Sequence, residues 1–325
     1  MNPTRIVVWG LGRHALKNIL PAVSAASGIE LYGVCSRNPD HVADCSARWK
    51  CRGWTEPTLM LDDPNVDVVY VATPIGLHAE HGKRVLESHK HLWCEKPFTS
   101  RLQDTRDLVE IATRRRLLIC EGHMYLYHPQ FRRLSAYVHD ERIGPIVSIG
   151  CRFGIPRLDH AGFRSDPTLG GGALFDVGCY PISAVQALFP EQTLKIRYAR
   201  VVSGRVPSLD IDGEALISLS SGVIARLEWR RNTAYRNEID IWGENGSLFT
   251  DKIFSKPPTY VPVFRFRNSH GVETTETGES ADHFVLMLQA FGGMLDDDAA
   301  MEAERDRITR RAEVIEEIWS DWQAS

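Results

Sequence analysis

Hydrophobic residues in the first part of the chain fall into short continuous runs that are separated by amphipathic stretches. The runs are rich in β-branched residues and predict buried strands at 5–9, 30–35, 66–72, 89–94 and 117–121. The stretches between them repeat apolar residues every three or four positions, as in Leu16, Ile19, Leu20 and Val23, and predict helices. Strands that alternate with helices at this spacing indicate right-handed βαβ units in a parallel, doubly wound sheet.

After Gly144-Pro145 the pattern changes to an alternation of apolar and polar residues. The alternating segments are 147–153, 223–230, 238–241 and 264–267. A period of two over several segments predicts an open mixed, mostly antiparallel sheet with one buried and one polar face. Further helices are expected up to Leu188 and over 281–295 and 308–322. The fold class is therefore α/β, and we expect two domains, 1–122 and 123–325.

The composition of the chain argues against some classes of function. The 325 residues are 43% hydrophobic and 25% charged, and the net charge of −4 gives no basic field for nucleic acid or an anionic membrane. The seven cysteines are odd in number and singly scattered, which fits reduced thiols. A strand-like segment follows the N-terminal residues at once, and no apolar stretch approaches the roughly 20 residues that span a bilayer. We expect a cytoplasmic protein.

The first predicted strand runs into Gly10-Leu11-Gly12-Arg13-His14-Ala15 and then into a helix. This is the Gly-x-Gly-x-x-Ala fingerprint of a dinucleotide-binding turn, in the strand–turn–helix context that it needs. Gly10 permits a tight turn, Gly12 lets the backbone approach a pyrophosphate, and Ala15 lets the helix pack close to the strand. Gly10, Gly12, Arg13 and His14 are therefore candidate cofactor-binding residues.

The end of the second predicted strand bears on the choice between NAD(H) and NADP(H). NAD sites often place an acidic residue here for the ribose 2′-hydroxyl, whereas this chain has Ser36-Arg37. A hydroxyl and a guanidinium suit a 2′-phosphate, so the pair favours NADP(H) over NAD(H). The alternative interpretation is that Ser36 caps a helix and Arg37 is solvated.

Lys96 follows the fourth predicted strand, between Glu95 and Pro97. An ammonium just past a strand end can hydrogen-bond a substrate oxygen and pass it a proton. Pro97 restricts Lys96 to extended backbone angles and can hold a cis bond. Ligands of such sheets bind beyond the carboxyl ends of the strands, where Thr73 and Lys96 both fall. The alternative is a solvated lysine before a turn proline.

A metal site is the competing interpretation of the histidine-rich region 78–94. His78 and His81 begin a predicted helix, while His89 and His91 alternate along a strand with Cys94 on the opposite parity. This spacing gives no compact zinc-type pair, so we expect no metal.

A second stretch with candidate chemistry is glycine-rich, Gly170-Gly171-Gly172-Ala173-Leu174-Phe175-Asp176-Val177-Gly178-Cys179-Tyr180-Pro181. Asp176 and Tyr180 are four residues apart, which puts a carboxylate and a phenol on one face of a continuous helix. Pro181 removes a helical hydrogen bond at Val177, so we expect a kink or a late helix start. The alternative is a capping aspartate and a core tyrosine.

Together these motifs resemble the Gfo/Idh/MocA oxidoreductase family over nearly the whole chain. The resemblance implies an N-terminal Rossmann domain and a C-terminal α/β domain with the site at their junction. It makes Lys96 the catalytic and substrate-orienting lysine, lets Asp176 bind or polarise the substrate, and makes Tyr180 the proton donor or acceptor. The remaining matched motif residues, expected at the cofactor, are Thr73, Pro74, His78, Glu95 and Lys96.

The resemblance points to the branch with tyrosine at the last motif position, where NADP(H) is usual. That branch contains dihydrodiol dehydrogenases, glucose–fructose oxidoreductase, xylose dehydrogenases and nucleotide-sugar ketoreductases. Ile75-Gly76 replace the asparagine that commonly follows Thr-Pro in the family. The segment 153–156 with Phe163-Arg164 looks most like the sugar 3-ketoreductases of deoxysugar biosynthesis.

The predicted reaction is hydride transfer between nicotinamide and a carbonyl or alcohol carbon of a sugar or nucleotide-sugar. Tyr180 donates the proton, Lys96 stabilises the alkoxide and lowers the phenol pKa, and Asp176 holds a neighbouring hydroxyl. The alternatives are a sugar hydrolase or lyase that oxidises its substrate transiently, and a non-catalytic NADP(H) sensor. We expect a homodimer or homotetramer formed through the C-terminal sheet, although its arginine-rich polar face can also simply be solvated.

Overall fold

The computed structural model describes residues 3–160 and 162–323, which form two compact units. The first unit contains Met1–Gly122 and Phe284–Ala312, and the second contains His123–His283 and Glu313–Ser325. The expected domains 1–122 and 123–325 stay a prediction about parts of the chain that fold by themselves.

Strands and helices are numbered here in chain order. The strands are β1 (Thr4–Trp9), β2 (Ile29–Cys35), β3 (Arg52–Trp54), β4 (Val68–Val71), β5 (His91–Cys94), β6 (Ile119–Glu121), β7 (Ile146–Ile155), β8 (Leu194–Ser203), β9 (Asp210–Leu219), β10 (Ile224–Arg231), β11 (Arg236–Gly243), β12 (Gly246–Asp251), β13 (Val263–Asn268) and β14 (Glu273–Thr277). The α-helices are α1 (Leu20–Ala25), α2 (Pro39–Trp49), α3 (Pro57–Leu61), α4 (His78–Glu87), α5 (Leu102–Arg115), α6 (Pro129–His139), α7 (Cys179–Leu188), α8 (His283–Met294) and α9 (Asp298–Gln323). Two π-helical turns, Ala15–Ile19 and Leu174–Gly178, directly precede α1 and α7.

The first sheet is parallel throughout, in the order β3-β2-β1-β4-β5-β6. Its central strands are buried along most of their length, because helices cover both faces of a doubly wound sheet. The five strands predicted in the first part of the chain are confirmed. The sequence does not reveal β3, because this short edge strand carries no buried apolar run.

The second sheet is mixed, in the order β14-β13-β12-β11-β7-β10-β9-β8. Its strand pairs are antiparallel except for β7 and β10, which run parallel. On β10 the buried residues Ala225, Leu227 and Trp229 alternate with more exposed ones, as the period of two predicted. The predicted open mixed sheet is confirmed. The sequence analysis missed β8, β9, β12 and β14.

The remaining expectations concern membrane spans and cysteines. Within residues 3–160 and 162–323, no helix is both long and apolar enough to cross a bilayer. The seven cysteines are free, and six of them are buried.

Candidate active site

The turn after β1 fits the pyrophosphate of a dinucleotide. Gly10 has a φ of +110°, and a Cβ added there would lie 2.7 Å from the carbonyl carbon and oxygen of Ala72. A Cβ on Gly12 would meet no heavy atom within 4 Å, so open space adjoins the backbone at this position. His14 directly precedes the π-helical turn, and the N-terminus of a helix suits an anion.

Both chemistry-bearing helices begin with a π-helical turn followed closely by a proline, Pro21 in α1 and Pro181 in α7. In a regular α-helix the ring of a proline clashes with the carbonyl four residues earlier, and a wider turn relieves that clash. The kink or late helix start expected at Pro181 is therefore a π-helical turn, after which α7 starts at Cys179.

Glu95 lies at the centre of a hydrogen-bonded group that includes His14, in the turn after β1. Its Oε1 accepts from the Tyr70 hydroxyl at 2.5 Å and from His14 Nε2 at 2.9 Å. Asn18 Nδ2 donates to His14 Nδ1 at 3.0 Å, so the Nε2 of His14 carries the hydrogen that faces Glu95. Burial raises the pKa of Glu95, but His14, Tyr70 and Lys96 outweigh burial and lower it to about 2. Glu95 is therefore a carboxylate at neutral pH.

Lys96 lies two residues past β5 and is partly exposed. Its backbone N–H donates to Glu95 Oε2 at 3.3 Å, and the Lys96–Pro97 peptide bond is cis. The ammonium is thus placed at the carboxyl edge of the sheet, next to a permanent negative charge.

His78 is fully buried at the start of α4. Its Nδ1 lies 3.0 Å from the carbonyl oxygen of Pro97, and its Nε2 lies 2.9 Å from that of Thr73. Burial lowers the pKa of His78, although these carbonyls act in the opposite direction. Both ring nitrogens thus contact the backbone. Nearby, Thr73 Oγ1 contacts His81 Nδ1 at 3.0 Å.

Ser36 and Arg37 lie just past the end of β2, with Arg37 exposed. The residue that caps α2 is Asn38, whose side chain accepts from the backbone N–H groups of Asp40 and His41. The alternative that Ser36 is the helix cap is therefore wrong, although the Ser36 hydroxyl does accept from the N–H of Asn38 at 3.3 Å.

In the second unit, Asp176 is buried within the π-helical turn. Its Oδ2 accepts from Arg164 Nε at 2.7 Å. Arg231 Nη1 in turn donates to the carbonyl oxygen of Arg164 at 2.7 Å. The candidate substrate-binding carboxylate is thus held by a cation from the preceding loop, a contact that spacing alone did not reveal.

Tyr180 lies in a buried aromatic group and is 6% exposed. The rings nearest to it are those of Phe153, His123, Phe254 and Tyr125, at centroid distances of 5.1, 5.4, 5.7 and 5.8 Å. Its hydroxyl lies 3.8 Å from the sulfur of Met124. Ring packing on several sides fixes the direction of the phenol.

Asp210 was missed by the sequence analysis, because a single aspartate at the start of a strand carries no local signal. It is fully buried, and its Oδ2 accepts from the N–H of Leu174 at 2.7 Å. Its Oδ1 has no hydrogen-bond partner among the described residues, and it lies 2.1 Å from the position of a Cβ on Gly172. Only glycine fits at 172, where φ is +123°.

The Asp210 carboxyl gives a pH-dependent stability prediction. Burial raises its pKa from 3.8 to about 6, against the lowering effects of the Leu174 and Ala173 N–H groups and of Arg231. Its contribution to stability is therefore fully present below pH 4 and is lost as the pH rises through 6. Asp210→Asn keeps an acceptor for Leu174 and cannot ionise. Relative to wild type, the variant should gain about 2 kcal/mol of unfolding free energy between pH 4.5 and pH 7.5.

Urea unfolding at the two pH values measures this difference. A variant whose stability differs from wild type by the same amount at both would show that Asp210 does not titrate in this range.

In the described ranges, no group of three or more His, Cys, Asp or Glu side chains is arranged to hold an ion.

Comparison with known proteins covers nearly the whole chain. Residues 4–123 match the oxidoreductase family with an NAD-binding Rossmann fold, Gfo/Idh/MocA, and residues 131–249 match the Gfo/Idh/MocA C-terminal domain. Two relatives are named dTDP-3,4-didehydro-2,6-dideoxy-α-D-glucose 3-reductase. The one from Saccharopolyspora spinosa is 30% identical, covering 97% of this chain and 96% of the relative. The one from Actinomadura kijaniata is 31% identical, covering 98% and 95%.

Solved structures agree with these matches. A 3-ketoreductase from Actinomadura kijaniata, solved with NADP and TDP-benzene, superposes with a TM-score of 0.91 at 30% identity over 98% of both chains. An aldose–aldose oxidoreductase from Caulobacter crescentus has a TM-score of 0.90 at 20% identity and supports the fold alone. The chain belongs to the Gfo/Idh/MocA oxidoreductase family.

Proposed function

We propose that this protein is an NADPH-dependent ketoreductase that reduces a keto group on a nucleotide-linked sugar. One observation carries the proposal, namely the full-length similarity to sugar 3-reductases, one of them solved with NADP and a TDP compound. Variants of that solved enzyme replace one lysine and one tyrosine. These two residues are as far apart along its chain as Lys96 and Tyr180 are along this one.

The residues of the first unit suit NADP(H). The turn at Gly10 and Gly12 offers open backbone to a pyrophosphate, and Ser36 and Arg37 offer a hydroxyl and an exposed guanidinium to a 2′-phosphate. The proposed cofactor-binding residues are Gly10, Gly12, Arg13, His14, Ser36, Arg37, Thr73, Pro74, His78, Glu95 and Lys96. When bound, the cofactor supplies a hydride from its nicotinamide ring.

Three side chains are proposed to act on the substrate. The Lys96 ammonium stabilises negative charge on the carbonyl oxygen as it becomes an alkoxide. Tyr180 donates a proton to this oxygen as a general acid. Asp176, a buried carboxylate in the π-helical turn, accepts a hydrogen bond from a neighbouring sugar hydroxyl.

We also propose that the protein forms oligomers through the second sheet and resides in the cytoplasm. The polar face of that sheet carries Trp242, 63% exposed, near a groove of about 720 Å³. Arg152 on this face pairs with Glu228 and Glu238, so part of its positive charge is already neutralised within the chain. A large exposed ring beside internally paired charges suits a contact between copies in a homodimer or homotetramer. The free cysteines suit a reducing compartment.

The cofactor preference gives the next prediction. Arg37→Ala should weaken NADPH binding roughly tenfold to a hundredfold, because a charge-assisted contact to the 2′-phosphate is lost. NADH binding should stay unchanged, since NADH lacks this phosphate. Fluorescence titration measures both constants, and Arg48→Ala on α2 is the control for loss of a nearby positive charge. An equal loss of NADH and NADPH binding would contradict the assignment of Arg37.

The experiment that tests the proposed function is turnover of a panel of ketosugars with purified protein and NADPH. The panel pairs each dTDP-linked ketosugar with the same sugar lacking the nucleotide. The proposal expects consumption of NADPH with a nucleotide-linked member and much less with its free counterpart. Tight NADPH binding without consumption on any member would favour the sensor or the transient-oxidation enzyme instead.

A further inference from the structure

The peptide group between Pro97 and Phe98 is held at both of its polar atoms by buried side chains. His78 Nδ1 lies 3.0 Å from the carbonyl oxygen of this peptide. Glu121 Oε1 accepts from its N–H, which belongs to Phe98, at 2.9 Å. His78 is fully buried and Glu121 is 4% exposed, so water does not compete for either contact. This peptide begins one residue after Lys96.

Each of the two side chains has a second close neighbour in the same unit. His78 Nε2 lies 2.9 Å from the carbonyl oxygen of Thr73, at the carboxyl end of β4. The other carboxylate oxygen of Glu121 accepts from Arg311, which is 3% exposed and belongs to α9. The contacts therefore join the ends of β4 and β6 and the helix α9 to the turn that carries Lys96.

A catalytic lysine depends on such support for its position. Its side chain is long and flexible, so the backbone is the part of the residue that the fold can fix. A peptide held at both its C=O and its N–H keeps its plane and its position. It thereby also fixes the backbone from which the neighbouring Lys96 side chain extends. Small displacements of a reacting group are costly, since about 1 Å can lower a rate a hundredfold.

We propose that His78, Glu121 and Arg311 form a peptide clamp whose function is to position Lys96. The clamp rests on the proposed function, because it acts through the role given there to Lys96. In the tautomer that carries its single N–H on Nδ1, His78 donates to the carbonyl side of the peptide. Glu121 holds the N–H side, and Arg311 neutralises the buried carboxylate and orients it. They are positioning residues, and none of them needs to contact the substrate.

Two double variants isolate the hydrogen bond from Glu121 to Phe98. Both replace the buried ion pair by uncharged side chains of similar size, which avoids leaving one charge unpaired. Glu121→Gln with Arg311→Met keeps an amide oxygen as acceptor for the Phe98 N–H. Glu121→Leu with Arg311→Met removes the acceptor. We expect the first to retain kcat near that of the wild type and the second to lose roughly tenfold to a hundredfold, with NADPH binding unchanged in both.

A matched control comes from α9 itself. Glu304 is buried and pairs with Arg307 there, with Arg307 Nε donating to Glu304 Oε2 at 2.9 Å. Glu304→Leu with Arg307→Met makes the same chemical change without touching the clamped peptide. This control should keep its kcat, and an equal loss of kcat in it would overturn the clamp as the cause. Melting temperatures of all three double variants show whether each folds.

The decisive readout is whether the effect requires Lys96. Each clamp variant is combined with Lys96→Ala, and hydride transfer is measured in single turnovers. If the clamp acts through Lys96, removal of the Glu121 acceptor lowers the rate of the Lys96→Ala protein no further. A loss of the same factor in both backgrounds overturns the clamp and leaves the proposed function standing. Full activity of Lys96→Ala alone would overturn the proposed function, and the clamp with it.

Discussion

Replacing Lys96 with alanine is expected to lower kcat roughly a hundredfold to a thousandfold, the size of effect seen when one donor to a developing oxyanion is removed. The ammonium is the positive charge that our proposal places at the substrate oxygen, and its loss leaves the alkoxide without that partner. NADPH binding should persist, because the turn at Gly10 and the residues at the end of β2 are unchanged. Steady-state turnover and fluorescence titration measure the two properties separately.

The control for this substitution is Lys90→Ala, near the opposite end of β5. Lys90 Nζ donates to the carbonyl oxygen of Asp63 at 2.9 Å, so its replacement removes a lysine that flanks the same strand and leaves the proposed catalytic charge in place. We expect Lys90→Ala to affect stability more than kcat. Wild-type turnover by the Lys96→Ala protein would exclude the catalytic role of Lys96.

Replacing Tyr180 with phenylalanine is expected to lower kcat roughly a hundredfold to ten-thousandfold, the usual contribution of a general acid. The ring packs against four aromatic neighbours, and phenylalanine keeps that packing. The melting temperature should therefore stay close to that of the wild type. Loss of turnover at constant stability would separate a missing proton donor from a disturbed core.

Tyr125→Phe is the matched control, since Tyr125 belongs to the same aromatic group. Its hydroxyl lies 2.5 Å from Ser183 Oγ and is buried. Removing it should cost about 1 kcal/mol of unfolding free energy and leave kcat little changed. A Tyr180→Phe enzyme that reduces substrate as fast as the Tyr125→Phe control would mean that the proton comes from another group.

Much of the fold could be predicted from the sequence because its signals are local. Strand β4 is a continuous buried run, and β10 alternates buried and more exposed residues, so each carries its own periodicity. The edge strands β3 and β14 are short and largely exposed, so their sequences resemble those of loops. Nothing local indicates that residues 284–312 pack into the first unit, because this contact joins distant parts of the chain.

The candidate site likewise contains some residues that the local sequence reveals and others that it does not. Gly10 and Gly12 are recognisable because turn geometry and spacing are encoded within a few residues. Asp210 and Arg311 reach their partners across long stretches of sequence, and such pairs carry no pattern that spacing can reveal. The contact of His78 with the carbonyl of Pro97 is likewise visible only in the folded chain.

The most direct test of the ketoreductase proposal follows the hydride itself. NADPH carrying deuterium at the transferred position of nicotinamide C4 is incubated with the nucleotide-linked ketosugar that supports turnover, and the product is examined by NMR. We predict one deuterium on the former carbonyl carbon and one NADP⁺ formed for each sugar reduced. An altered sugar without deuterium, formed while NADPH is not consumed, would contradict net reduction and would favour an enzyme that oxidises its substrate transiently.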